Sequence, residues 1–229
     1  LDNLKAFGVD TIELGVQSFA ESVVTASKRG HSAECVYSSS RLIKEYGFIL
    51  GIQLMIGLPG DTCELDLYSA RETVAISPSI ARLYPTVVIP DTELHKMFLQ
   101  GRYCPMQQED AIIRTAAMYR ILDSAGINII RVGLKSSDII NGKNMQAGTF
   151  HPAFRQLVEG KIAQEDLDIQ LRGCKPNTSV CCVSHPDSFN NMIGHKAVNK
   201  KYFSSAYPDL RISYKADGNM RKGTYSIKF

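Results

Sequence analysis

The sequence contains no tryptophan and no apolar run that approaches the length of a membrane span. A transmembrane helix needs about 20 consecutive apolar residues, so none is expected. The amino-terminal residues also lack the succession of charged, apolar and small residues that marks a signal peptide. We therefore expect a cytoplasmic protein without a membrane partner. The chain begins at Leu1 rather than at a methionine, and an upstream segment is expected.

Cysteine pairs with the spacing of a metal-binding loop are also missing. None of the six cysteines stands in a CxxC or CxxxC arrangement, so the sequence shows no tight metal-binding loop, although folding could still bring distant ones together. We interpret them as reduced structural thiols and predict no metal site in this chain. They are Cys35, Cys63, Cys104, Cys174, Cys181 and Cys182.

The net charge is only +3, but the charge is unevenly distributed. Residues 190–229 hold eight Lys or Arg against Asp209 and Asp217, which leaves 18 basic and 21 acidic residues in the rest of the chain. This shift in composition predicts a separate carboxyl-terminal module. Its excess of cations is most simply a solvated face, and the alternative is a surface that binds nucleic acid or another anion.

The first 140 residues alternate short apolar runs with amphipathic patterns of helical period. This alternation predicts an α/β fold with a parallel sheet. Since ligands of such sheets bind at the carboxyl ends of the strands, residues 15–18, 57–60 and 88–92 are the expected site. The predicted strands are 11–16, 49–57, 82–89 and 127–132, and the predicted helices are 33–46, 62–76, 93–99 and 109–125.

Beyond residue 140 the pattern changes to that of a small α+β unit. Helices are predicted over 154–170 and 188–200, and strands over 178–183, 210–215 and 224–229. The domain prediction is therefore 1–140 and 141–229. His151, His185 and His195 are interpreted as turn or capping residues, and Asn199, Lys200 and Lys201 as a possible anion patch.

Several segments resemble radical S-adenosylmethionine (radical SAM) iron-sulfur enzymes of the Elongator catalytic-subunit type and the oxygen-independent coproporphyrinogen oxidases. The resemblance implies the carboxyl-terminal half of a radical SAM β/α barrel followed by the extension of bacterial Elongator relatives. The matching segments are TIELGVQSF (11–19) with KRGH (28–31), GIQLMIGLPGDT (51–62), RLYPTVVIPDTELHKMFLQGRY (82–103), FHPAFRQLVEGKI (150–162) and IGHKAVNKKYF (193–203).

The resemblance also implies roles for five residues in binding S-adenosylmethionine. Gln17 and Arg29 match residues that contact the methionine part, against the simpler interpretation of a turn glutamine and a helix-end arginine. Gln53 stands where some relatives carry an aspartate for the ribose. Met55 would face the adenine, or else be a core methionine. Glu13 shares a strand face with Gln17, so its carboxylate is expected either to pair with Arg29 or another cation, or to contact ligand.

One part of the family pattern is absent from the sequence. Radical SAM enzymes bind a [4Fe-4S] cluster through a CxxxCxxC loop, and this chain has none. The resemblance therefore implies an oxidoreductase that uses S-adenosylmethionine, a cluster and an external electron donor in the intact protein, with this fragment inactive alone. The substrate is open, with tRNA one option. No glycine-rich acetyl-coenzyme A loop is present. The alternative function is an RNA-binding module that uses the basic carboxyl-terminal region.

Overall fold

The computed structural model describes residues 1–137, 140 and 145–229. These residues form two compact units, Leu1–Phe154 and Arg155–Phe229. The domain boundary predicted from the sequence lies between residues 140 and 141. The neighbouring residues 138–139 and 141–144 lie outside the described residues, so this boundary stays a prediction. No helix of the described chain is long and apolar enough to cross a membrane.

The first unit alternates strands and helices, as the sequence predicts. Its strands are β1 (Thr11–Gln17), β2 (Ile49–Ile56), β3 (Ile80–Pro85), β4 (Val87–Val88), β5 (Asn128–Val132) and β6 (Ala147–Gly148). Its helices are α1 (Asp2–Ala6), α2 (Glu21–Ala26), α3 (Ala33–Glu45), α4 (Cys63–Ile76), α5 (Glu93–Leu99) and α6 (Gln108–Ser124).

The main sheet has the strand order β1-β2-β3-β5, and every neighbouring pair in it is parallel. Strand β2 shows how the sheet is buried. Ile52, Leu54 and Ile56 are at most 1% exposed, whereas Gln53 and Met55, on the opposite face, are only partly buried. One face of the sheet therefore holds the core, and the other presents polar side chains.

Three helices of this unit, α3, α4 and α5, begin at side-chain caps. The Thr62 hydroxyl accepts a hydrogen bond from the Leu65 N–H at 3.3 Å and caps α4, and Ser32 caps α3 in the same way. Helix α4 ends at Ser77 in a left-handed conformation. Capping hydroxyls satisfy N–H groups that have no partner inside the helix, so these boundaries follow from the sequence.

The predicted strand over 82–89 is wrong in its second half. Strand β3 ends at Pro85, and the chain continues into β4, which pairs antiparallel with β6 rather than extending the main sheet. Proline has no N–H to donate to a neighbouring strand, so it favours the end of pairing there. The Thr86 N–H still reaches the Ile56 carbonyl oxygen at 2.9 Å before the chain diverges.

The second unit is a small α+β structure whose sheet has the order β8-β7-β9. Strands β7 and β8 are parallel, and β7 and β9 are antiparallel. Its elements are α7 (Phe154–Leu171), which begins at the last residue of the first unit, β7 (Ser179–Ser184), α8 (Phe189–Ile193), α9 (Val198–Ala206), β8 (Arg211–Ala216) and β9 (Tyr225–Lys228).

The single helix predicted over 188–200 is wrong, because Gly194 separates α8 from α9. Gly194, Lys196 and Ala197 all have positive φ values, which a continuous right-handed helix does not allow. Asn199 is 2% exposed, and its side-chain amide donates to the carbonyl oxygens of Gly160 and Asn191 at 2.8 and 3.1 Å. Asn199 therefore stabilises this break and is not part of an anion patch.

Candidate functional site

The carboxyl ends of β1, β2 and β3 lie side by side in the main sheet. Gln17, the last residue of β1, pairs in register with Leu54, and Ile56 at the end of β2 pairs with Pro85. This edge of a parallel sheet is where ligands bind in α/β folds. Of the polar residues predicted from the sequence, Gln17 lies at this edge, whereas Glu13 and Gln53 lie within β1 and β2.

Gln17 and Gln53 are in direct contact. Gln53 Nε2 donates a hydrogen bond to Gln17 Oε1 at 3.2 Å. Gln17 is 4% exposed and has a φ of 68°, which is uncommon outside glycine. Because the side chain is held by Gln53 and the main chain turns sharply at this residue, Gln17 has a fixed position at the end of β1.

Arg29 lies close to the same strand. A Cβ atom on Gly15 would lie 2.9 Å from Gln17 Nε2 and 3.8 Å from an Arg29 guanidinium nitrogen. Glycine at this position therefore leaves room for both side chains. His31 Nε2 donates to the Val16 carbonyl oxygen at 3.0 Å, which fixes the turn that carries Arg29 against β1.

Glu13 pairs with a cation on the polar face of the sheet. Its carboxylate lies 3.0 Å from Arg82 Nε, and the Arg82 guanidinium also donates to the Tyr84 hydroxyl at 3.4 Å. The Glu13 side chain crosses Gly51, where an added Cβ would approach it to 3.0 Å. The cation that pairs with the Glu13 carboxylate in the structure is therefore Arg82 and not Arg29.

A cavity at this edge contains two of the predicted residues, Arg29 and Met55. Its volume is about 190 Å³, which is below the range of about 300–1,000 Å³ typical of small-molecule sites, and it is partly open to solvent. An ion pair of 3.0 Å between Lys28 and Glu93 joins two of its walls. The remaining lining residues are Ala26, Ser27, Leu58, Pro59, Thr86, Val87, Leu94 and Met97.

Met55 has two kinds of neighbour. It lines the cavity, and it also packs against the buried cluster of Ala20, Val23 and Leu58. The core interpretation and the ligand-contact interpretation are therefore compatible for this side chain. A flexible thioether at a cavity wall adapts readily to an aromatic ligand.

The turn after β2 is held by side chains on both sides of Gly57. The Gly57 N–H donates to Asp61 Oδ2 at 2.9 Å, and the Tyr103 hydroxyl donates to the Gly57 carbonyl oxygen at 2.7 Å. Gly57 has a φ of 78°, and an added Cβ would lie 2.5 Å from Met106 Cε. Asp61 thus fixes the turn beside the cavity, while Thr62 caps the helix.

Asp66 is a buried carboxyl group next to this turn. Burial raises its pKa to about 9, the negative charge of neighbouring Asp61 adds to the shift, and Arg114 opposes it. The Arg114 contact alone, at 3.3 Å, would favour the ionised form. Burial prevails, because Asp66 is 2% exposed and Asp61 is a second carboxyl group beside it. Asp66 is therefore protonated near neutral pH.

Parts of this chain are similar to proteins of known families. Residues 78–164 match the radical SAM C-terminal domain. The chain is 33% identical over 115 residues to a tRNA uridine(34) acetyltransferase of Methanocaldococcus infernus, a match that covers 49% of this chain and 22% of that protein. It is 30% identical over 175 residues to human Elongator complex protein 3, covering 75% of this chain and 31% of the relative.

One solved structure is also similar to this chain. The structure of the Elp3 protein of Methanocaldococcus infernus with an amino-terminal deletion matches 72% of this chain and 38% of its own, with a TM-score of 0.63 and 26% identity. The chain is therefore similar to part of the Elongator-type radical SAM proteins. It spans about a fifth to a third of the length of the curated relatives it matches. Its α/β architecture is that of a partial radical SAM barrel with a small extension.

Two features of the cavity fit S-adenosylmethionine, the ligand that the radical SAM resemblance implies. Arg29 supplies a cation suited to a carboxylate, and Met55 with Leu58 supplies apolar surface. Two hydroxyl oxygens of cavity-lining residues, those of Ser27 and Thr86, are buried without a hydrogen-bond partner in the described residues. Neither oxygen is exposed to the open space of the cavity, so they do not add to its ligand contacts.

The same residues do not fit an iron-sulfur cluster. In the part of the chain that the structure describes, no three Cys, His, Asp or Glu side chains come together as metal ligands. All six cysteines are free thiols, and burial raises the pKa of Cys182 to about 12. A raised thiol pKa disfavours the thiolate that binds metal, so no step of the chemistry is assigned to a cluster on these residues.

Two of the three histidines predicted for turns, His151 and His185, act in turns, whereas His195 Nδ1 lies 3.3 Å from Oε1 of the Gln156 side chain. His151 Nδ1 accepts from the Ala153 N–H at 3.1 Å, and His185 Nδ1 accepts from the Asp187 N–H at 3.1 Å.

Tyr103 and Thr86 lie at the site but were not predicted from the sequence. A tyrosine 46 residues after Gly57 carries no local signal of its contact. Thr86 gives a weak one, since it is a polar residue at the end of a buried strand.

Proposed function

We propose that this chain supplies one half of an S-adenosylmethionine site in a radical SAM oxidoreductase. The observation that carries the proposal is the cavity that joins Arg29 to Met55, at the sheet edge where Gln17 bonds Gln53. When bound, S-adenosylmethionine supplies an adenosyl group whose release as a radical starts the reaction. The residues of this chain bind the molecule, orient it and keep water away from it.

Each predicted residue has a part in this proposal. Arg29 holds the carboxylate of the methionine moiety, and Gln17 contacts the same moiety through its amide. Gln53 contacts the ribose, and Met55 packs against the adenine. Glu13 orients Arg82 on the polar sheet face and contacts ligand through that pair.

In the intact protein, we propose, a [4Fe-4S] cluster bound outside these 229 residues and an external electron donor complete the reaction. The chain alone is then inactive. Two measurements test this. Ligand-observed NMR should detect S-adenosylmethionine binding to the chain, and anaerobic reconstitution with iron and sulfide should give no 4Fe-4S absorption band. A band from the chain alone would contradict the assignment of the cluster ligands to other residues.

A tRNA substrate is part of the proposal, because curated relatives are named for tRNA uridine(34). The second candidate function, RNA binding by the basic carboxyl-terminal region, is favoured by one observation. Residues 190–229 carry exposed cations that have no ion pair among the described residues, namely Lys196, Lys200, Lys201, Arg211, Lys215 and Arg221. Unpaired cations bind phosphate groups with a strong salt dependence.

Binding of tRNA can separate these two candidates. The full chain and the double variant Lys200→Glu/Lys215→Glu would be compared at several salt concentrations. RNA binding by this region predicts a steep salt dependence and a marked loss in the variant. If tRNA binding is absent while S-adenosylmethionine binding is retained, the second candidate is wrong.

A further inference from the structure

Strand β5 contains a β-bulge beside Arg82. Ala81 pairs with Ile129, whereas Arg82 pairs with Arg131, so Ile130 is an extra residue in β5. Ile130 is 40% exposed, although its side chain is large and apolar. Because successive residues of a strand alternate between the two faces of a sheet, Arg131 would turn to the core face without the extra residue. The bulge therefore brings Arg131 next to Arg82 and leaves an isoleucine exposed.

Arg131 lies on the polar face of the main sheet. Register neighbours point to the same face, and Arg82 is the register neighbour of both Gln53 and Arg131. Ile129 and Val132, on the two sides of the bulge, are 4% and 6% exposed and belong to the core face. The Arg131 side chain is only partly buried. A ligand can therefore reach it from the polar face.

The polar face carries more positive than negative charge. Among the described residues, the four strands of the main sheet contain three charged side chains, Glu13, Arg82 and Arg131. The Glu13 carboxylate reaches across Gly51 and lies 3.0 Å from Arg82 Nε. The Arg131 side chain has neither an ion pair nor a hydrogen bond within the described part of the chain. One carboxylate therefore faces two guanidinium groups.

This pair of arginines is unfavourable unless an anion joins it. Neighbouring strands are about 4.8 Å apart, and like charges at adjacent positions of a sheet destabilise it. Glu13 neutralises Arg82 from the side of β1, and Arg131 lies on the opposite side of Arg82, on β5. A guanidinium group presents a rigid fork of N–H donors that matches the oxygens of a carboxylate or a phosphate. An oxyanion between the two forks would remove the repulsion and satisfy free donors of both.

We propose that Arg82 and Arg131 form a binding site for an oxyanion, a carboxylate or phosphate group carried by the substrate. The inference goes beyond the proposed function and rests on it only in taking the bound molecule to be the substrate, because the carboxylate of S-adenosylmethionine is assigned to Arg29. Glu13 is the fixed counterion that positions Arg82 for this contact.

The test measures binding of inorganic phosphate and of acetate to the full chain by isothermal titration calorimetry at constant ionic strength. Loss of one guanidinium predicts that Arg131→Gln binds the preferred anion about tenfold or more weakly. Arg131→Lys keeps the charge without the fork and should bind with intermediate affinity. Arg71→Gln is the control, because Arg71 is an exposed cation on α4, and it should bind like the wild type. The anion bound more tightly identifies the group, phosphate or carboxylate.

Thermal unfolding gives a second readout that a purely structural role would not produce. In chloride buffer, Arg131→Gln should have a higher midpoint than the wild type, because it removes the like charge beside Arg82. At a saturating concentration of the preferred anion the order should reverse, since only the wild type gains binding energy there.

The outcomes separate this inference from the proposed function. A wild type that binds neither anion, an Arg131→Gln variant that binds as tightly as the wild type, or unfolding midpoints whose order does not reverse would each overturn the oxyanion site. Equal losses in Arg131→Gln and Arg71→Gln would also overturn it, because they indicate an effect of net charge. Anion binding without any binding of S-adenosylmethionine would overturn the proposed function alone.

Discussion

The hydroxyl group of Tyr103 donates a hydrogen bond to the carbonyl oxygen of Gly57, 46 residues earlier in the chain, at 2.7 Å. Asp61 accepts the N–H of the same glycine. The turn after β2 is therefore fixed by two side chains that approach it from different segments. This turn forms a wall of the candidate site, so its rigidity determines how well the cavity is defined before ligand binds.

Gly57→Ala should destabilise the first unit by about 1–2 kcal/mol through its left-handed conformation. The atom nearest to an added Cβ is Met106 Cε, the end of a flexible side chain, which can move aside at little cost. Gly60→Ala is the matched control. Gly60 has a φ of 76°, and an added Cβ would meet only Ala26 at 3.9 Å, so a similar loss of about 1–2 kcal/mol is expected. Urea unfolding measures both. A much larger loss for Gly57→Ala would contradict the expectation that Met106 can move.

Asp66 should make the stability of the protein depend on pH. The folded-state pKa is raised to about 9, above the value of about 3.9 in an unfolded chain. Between these values the folded state keeps a proton that the unfolded chain releases, so the free energy of unfolding should fall as pH rises. Asp66→Asn imitates the protonated form and should flatten this dependence. Urea unfolding at pH 5 and pH 8 measures the effect, and parallel profiles would contradict it.

The bond between Gln53 and Gln17 predicts different results for two substitutions. Gln53→Met should destabilise the protein by about 1–3 kcal/mol, because it leaves the amide of buried Gln17 unpaired. Gln53→Glu should cost less. The Gln17 amide can rotate to donate, and Arg82 is the register neighbour of position 53 on β3. Thermal unfolding compares the two, and a larger loss for Gln53→Glu would refute the argument.

In the second unit, Asn199→Ala should destabilise the fold by about 2–4 kcal/mol. The substitution removes the amide that bonds the carbonyl oxygens of Gly160 and Asn191 across the break at Gly194. Asn190→Ala, at an exposed position, is the control and should change stability by less than about 0.5 kcal/mol. Differential scanning calorimetry should resolve the difference. Similar midpoints for the two variants would contradict the assigned role of Asn199.

The sequence predicted those parts of the fold that depend on local signals. Helix α5 has the predicted bounds 93–99, and α4 begins after the Thr62 cap as its pattern indicates. The errors arose where tertiary contacts override a local pattern. The Pro85–Thr86 step leaves the main sheet because β6 offers a different partner to β4. Gly194 was the one local signal of the break in the predicted second-unit helix.

In the candidate site, too, the sequence predicts what local patterns determine and not the contacts between distant segments. Strand periodicity predicts that Glu13 shares a face of β1 with Gln17 and that Gln53 shares a face of β2 with Met55, and the resemblance adds Arg29. That Arg82 would pair with Glu13, and that Tyr103 would hold Gly57, depends on strand order and on contacts far apart in sequence. Neither the order β1-β2-β3 nor those contacts can be obtained from periodicity alone.

The ion pair between Lys28 and Glu93 is too weak to control the exchange of molecules with the cavity. Both side chains are about half exposed or more, and such exposed pairs contribute little to stability. The contact between these two walls is therefore comparable to thermal energy and is weakened by salt. Access to the interior is consequently limited by diffusion rather than by breaking this contact, and the residence time of a bound molecule depends on the interactions deeper inside.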